Sequence, residues 1–210
     1  MKNILLSIGP LAALVLCGCE VKYKDTGMLV ATKVIEAKAA TAGTGGCTYE
    51  FETRELTFGI FNPLGGGYTH GVVVENRLPN NGSGPGRVNT NDFQIEGADI
   101  GYAQVDGPAV VMPVQTVSGN ALVPAGGKGV TQLELVTPVV AQAIGGNTMK
   151  VRLLVQIFGL LLDGTRVRTN TYEYVIQADP TFVLPAPTCT APAAPIACEG
   201  VNQDTGTGCQ

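Results

Sequence analysis

Two β-rich runs, residues 149–162 and 165–176, flank Asp163-Gly164 and alternate apolar with polar side chains. Val151, Leu153, Val155 and Ile157 mark one face of the first run; Val167, Tyr172, Tyr174 and Ile176 mark the second. A period of two is the side-chain repeat of a strand, because successive residues point to opposite faces. Asp-Gly suits a two-residue type I′ turn, whose central positions both need positive φ. A hairpin alone is marginal in water, so this pair demands further β-structure to cover its apolar face.

The rest of the chain supplies candidates. Charged residues are only 14% and Gly numbers 28, a balance that favours all-β architecture over helices. Residues 49–61 alternate as a strand with a bulge or turn near Arg54, and 63–67 read as a plain turn. Residues 69–78 hold a strand with a buried face, and 79–86 gather Pro, Asn and Gly as a loop. Phe93, Ile95, Ile100 and Tyr102 outline another strand, with a bulge at Gly97. Two weak strands are expected around Ser118-Gly119-Asn120, and 130–136 alternate cleanly. Residues 138–144 suit one or two helical turns stopped by Gly145-Gly146. The expected fold is one immunoglobulin-like or fibronectin-like antiparallel β-sandwich of about seven to eight strands. A jelly roll or small barrel is the alternative. Trp is absent, so the antibody core residue is missing.

The first residues carry a different signal. Lys2 precedes an apolar run from Ile4 through Leu16, broken by Ser7, Gly9 and Pro10. That is short of the roughly 20 residues a spanning helix needs, and it suits the core of a signal peptide. Leu16-Cys17-Gly18-Cys19 follows. Leu at −3 is wrong for ordinary signal peptidase but fits the lipoprotein pattern, with Gly18 at −1 and Cys19 as the acylated residue; Cys17 at −2 is less usual there. Glu20 at +2 is not the Asp associated with inner-membrane retention, which favours the outer membrane. The expected division is a signal peptide over 1–18, a lipidated flexible spacer over 19–46, a sandwich over 47–179 and a Pro-rich tail over 180–210. Within the spacer, residues 28–36 are expected to form one short strand or a pair of helical turns.

With Cys17 lost and Cys19 acylated, Cys47, Cys189, Cys198 and Cys209 remain, an even set that reads as two disulfides in an exported chain. The expected pairing is Cys47–Cys189, with Cys198–Cys209 closing a terminal loop. Gaps of this length do not suit a zinc site. His70, the only histidine, lacks a nucleophile elbow and is expected at the surface. Asp92, Asp99, Asp106 and Asp163 raise the idea of calcium, but each has a turn or strand-edge explanation and none sits in a calcium-loop motif. Gly65-Gly66-Gly67 lacks the Lys and Ser/Thr of a phosphate loop, and Asn81-Gly82-Ser83 is read as loop chemistry. No catalytic residue, metal ligand or cofactor is assigned. The formal charge of −4 argues against a nucleic-acid partner.

Thr57-Phe58-Gly59-Ile60-Phe61, the run Val72 to Leu78, Asn91-Asp92-Phe93, Gly97 to Ile100 and Phe158 to Tyr172 together resemble uncharacterised envelope lipoproteins of myxobacteria and related predatory bacteria. The resemblance covers most of 47–180. It implies a lipobox, a spacer, an immunoglobulin-like domain and a Cys-containing C-terminus, and carries no activity. The expected function is a membrane-anchored envelope lipoprotein acting as a non-enzymatic binding or structural module, with a protein or glycan partner. The alternatives are a subunit of an export or adhesion assembly and, less favoured, a periplasmic hydrolase using paired carboxylates.

Overall fold

The computed structural model describes residues 24–25, 27–39, 47–82, 89–186, 195–198, 203–205 and 207–209. The leader, Cys19, Cys189 and residues 40–46 of the expected spacer lie outside them, as does the side chain of Cys209. The chain opens with β1 (Lys24–Asp25), β2 (Leu29–Ile35) and β3 (Lys38–Ala39). Next come β4 (Cys47–Thr48), β5 (Glu55–Leu56) and β6 (Gly59–Phe61), a 3-10 turn at Pro63–Gly65, and β7 (Tyr68–Asn76). β8 (Phe93–Asp106), β9 (Gln115–Val123) and β10 (Lys128–Val136) lead to helix α1 (Pro138–Ile144). β11 (Met149–Leu161), β12 (Arg166–Arg168) and β13 (Tyr172–Ala178) complete the body, and β14 (Pro195–Ala197) and β15 (Thr207–Cys209) form a terminal ribbon.

β11 organises the larger sheet. β8 runs along one edge of it and carries β9. Along the other edge β12 and β13 lie end to end, carrying β1 and β6 respectively. Pairing is antiparallel except for the edge strands β1 and β6, which run parallel to their partners. The expected apolar faces meet in register, Val151 opposite Ile176, Leu153 opposite Tyr174 and Val155 opposite Tyr172. The smaller antiparallel sheet has the order β10-β7-β2-β5. Its inward side chains, Leu29, Val34, Val72, Val74, Leu133 and Leu135 among them, share one apolar core with those of β8, β11 and β13.

Asn170 joins the sheets where β12 gives way to β13. Its backbone N–H donates to the Leu29 carbonyl at 3.3 Å, and its side-chain oxygen accepts from the Ala31 N–H at 2.9 Å. Thr169 fills the gap left in the β11 ladder, its hydroxyl accepting from the Ile157 N–H. Buried Asn76 makes a second stitch, donating to the carbonyls of Asn91 and Val123.

Several expectations change. The spacer does not extend to residue 46: residues 28–36 settle as the strand β2, which sits between β7 and β5 with Leu29, Ala31, Val34 and Ile35 buried. A strand with four buried apolar side chains belongs to the body, so the boundary at Cys47 moves towards the N-terminus. The main sheets hold seven and four strand segments among the described residues, more than the expected count, because runs read as single strands break into shorter pieces and β1 and β2 join the sheets. Residues 49–54 form no strand; Thr53 N–H closes a turn on the Glu50 carbonyl. Their alternation is replaced by packing of Tyr49 against Gly71, where an added Cβ would meet the tyrosine ring at 2.5 Å. The two weak strands around Gly119 are one, β9.

The hairpin turn is also different. Gly164 N–H donates to the Leu161 carbonyl, Leu161 N–H donates to Thr165, and Gly164 has φ 84°. This is a three-residue loop with a left-handed glycine at its end, not a two-residue type I′ turn. Asp163 accepts from the Thr165 N–H at 2.8 Å, the hydrogen bond that holds its carboxyl below the usual range. The bulge at Gly97 is present, since the register with both β11 and β9 shifts between Ile95 and Gly97. α1 is capped by Thr137, starts at Pro138 and ends at Gly145 with φ 58°.

Candidate functional site

One polar cluster stands out in the apolar interior. His70 lies on β7 at the same parity as Tyr68, Val72 and Val74, so it points into the core and is fully buried. This corrects its expected surface position, and the parity of β7 was the sequence signal for it. The Tyr68 and His70 rings lie 4.5 Å apart, and the Tyr68 hydroxyl is 3.0 Å from that of Tyr174 on β13. Asp204 arrives from the C-terminal segment, placing Oδ1 3.5 Å from His70 Nε2.

Residues 203–205 act as a strap across this end of the molecule. Asp204 N–H donates to the Ile60 carbonyl and Asp204 Oδ2 accepts from the Ile60 N–H, both at 3.0 Å. Gln203 does the same with its carboxamide: Oε1 accepts from the Thr69 N–H and Nε2 donates to the Thr69 carbonyl, both at 2.9 Å. β2 stops pairing with β7 at Gly71, so Gln203 serves the Thr69 backbone beyond the end of that ladder. Ile60 belongs to one sheet and Thr69 to the other, so the strap holds the two together.

The strap is tied covalently. The disulfide joins Cys47 to Cys198, with Cα atoms 5.8 Å apart. The expected Cys47–Cys189 and Cys198–Cys209 pairs are therefore replaced. The Pro-rich composition concealed that the chain returns to the body with Gln203 and Thr205 buried.

Chemically, the cluster is a sealed latch. Burial pushes the Tyr68 hydroxyl well above the ordinary tyrosine range, with Tyr174 and the Asp204 charge adding to it, and burial likewise raises Tyr174. Both remain protonated within the core.

The candidate acidic residues stay apart. Asp92 accepts from Ala125 N–H and Asn89, Asp106 from Gly107 N–H, and Asp163 from Thr165 N–H. Asp99 faces Arg168 at 3.1 Å and accepts from the Thr116 hydroxyl. Among the described residues, no three His, Cys, Asp or Glu side chains converge to hold a metal ion. Gly65–Gly67 form the end of the 3-10 turn, whose cap is Asn62, and Asn81 bonds Thr90 within its loop.

Among the described residues, grooves open to solvent include the following pair. One, of about 510 Å³, lies on the outer face of the smaller sheet between Lys33, Lys128, Phe51, Glu52 and Glu55. The other, of about 410 Å³, is apolar and lies between the 3-10 turn and α1, where Leu64 and Val139 are 68% and 59% exposed. Comparison with protein-family models, curated proteins and solved structures returns no match for this chain. No helix among the described residues is long and apolar enough to cross a membrane.

Proposed function

We propose that this chain is an envelope lipoprotein, acylated on Cys19 and held at the outer membrane, whose body is a non-enzymatic binding or structural module. Leu16-Cys17-Gly18-Cys19 at the end of an apolar run carries the reading. The Cys47–Cys198 disulfide agrees with export, because such bonds persist in oxidising compartments. The two-sheet body supports the immunoglobulin-like or fibronectin-like assignment as the finer description of the fold. The binding role is supported by the apolar Leu64–Val139 groove, since exposed apolar patches mark interaction sites. The hydroxyls of Tyr68 and Tyr174 pair with each other inside the core, which disfavours the hydrolase alternative.

Fractionation of cells expressing Cys19→Ser tests the reading. The variant is expected to leave the membrane fraction as a folded soluble protein. Retention in the membrane at the wild-type level overturns acyl anchoring.

A further inference from the structure

The position of β1 determines which end of the body faces the lipid. β1 runs parallel to β12, with Lys24 opposite Val167 and Asp25 opposite Arg168. Its N-terminal end is therefore the end at which the 162–164 turn lies, and the Lys24 charge helps hold Asp163 ionised. Cys19 stands only five positions before Lys24. At about 3.6 Å per residue, the acylated atom can be no more than about 18 Å from the first sheet residue. The turn at 124–127 and the 77–82 loop share this end, as Phe93 pairs with both Leu161 and Val123. Leu162 and Met28 are exposed here together with Lys24, Lys128 and Arg166, and the carboxylates of Asp163 and Glu75 share this end, where they feel the charges of Lys24 and Lys128 respectively. The opposite end carries α1, the 3-10 turn and the strap, separated from it by the thirteen residues of β11, about 40 Å.

We propose that the short tether seats the 162–164 end of the sandwich directly on the lipid surface, with Leu162, Met28 and a mixed set of charged side chains against the zwitterionic headgroups. The Leu64–Val139 groove then faces away from the membrane. This rests on the acylation of Cys19 proposed above.

The chain has no Trp, so single Trp reporters are unambiguous. Full-length acylated Leu162→Trp and Leu64→Trp proteins are bound to phosphatidylcholine vesicles containing a headgroup nitroxide quencher. Quenching is expected to be several-fold stronger at position 162 than at 64. Equal quenching, or the reverse order, overturns the seating. Inserting about 20 Gly/Ser residues after Glu20 adds about 25 Å of root-mean-square reach and is expected to relieve quenching at 162. Undiminished quenching there overturns the short tether as its cause. Co-sedimentation separates the layers: protein that does not pellet with vesicles refutes the acylation, whereas pelleting without a quenching difference refutes only the orientation.

Discussion

Gln203 and Asp204 show how much a few polar residues contribute at the end of an apolar core. Gln203→Ala leaves a backbone N–H and a carbonyl of Thr69 without their partner, a change that costs about 1–3 kcal/mol. A matching drop in the urea midpoint, with unchanged slope, is the expected outcome. The Tyr68–Tyr174 pair gives a pH dependence of definite sign. Both hydroxyls are held protonated in the folded state above the ordinary value near 10, whereas the unfolded chain releases its protons there. Stability is full below about pH 10 and declines as pH rises towards the elevated folded values. Urea titrations between pH 8 and 11 should show this decline, and the double variant Tyr68→Phe/Tyr174→Phe should flatten it with little change at pH 7. An unchanged slope in the double variant contradicts the assignment.

At the scale of elements, the long strands were legible and the short ones were not. Residues 149–161 revealed themselves because every second side chain is buried in one core, and the apolar run 138–144 stopped by Gly145-Gly146 announced α1. β1 is two residues long, too short to show a period, whereas 49–61 and 165–176, each read as one strand, break into β5 and β6 and into β12 and β13. β2 matches the strand option for residues 28–36, but the small residues that follow it led to its assignment to the spacer instead of the body. The turn at 49–54 imitated a strand because Tyr49 and Phe51 alternate with charges, while the glycine that seats Tyr49 lies on β7. Disulfide pairing depends on three-dimensional proximity and could not be read from spacing. The Cys47–Cys198 bond closes across 151 positions, so Cys198→Ser is expected to lower stability by about 2–5 kcal/mol in thermal or urea unfolding. A non-reducing peptide map should recover the Cys47 and Cys198 peptides linked; linkage of Cys47 to Cys189 refutes this arrangement.

For the whole molecule, the candidate site was only half visible. Cys19 is a sequence signal, legible because a processing motif is local. The latch joins Tyr68, His70, Tyr174 and Asp204 from three distant segments, and no local pattern unites them. Structure also changes the expected division of the chain: sheet pairing already begins at β1, five positions after Cys19, so the proposed tether would be short. The proposed envelope role rests on acylation of Cys19. The most direct measurement is incorporation of labelled palmitate, with the intact mass of the mature N-terminus, in wild type and in Cys19→Ser. Label and acyl mass are expected on a wild-type chain beginning at Cys19, and neither in the variant. Equal incorporation in both, or a wild-type chain that retains its leader, contradicts it.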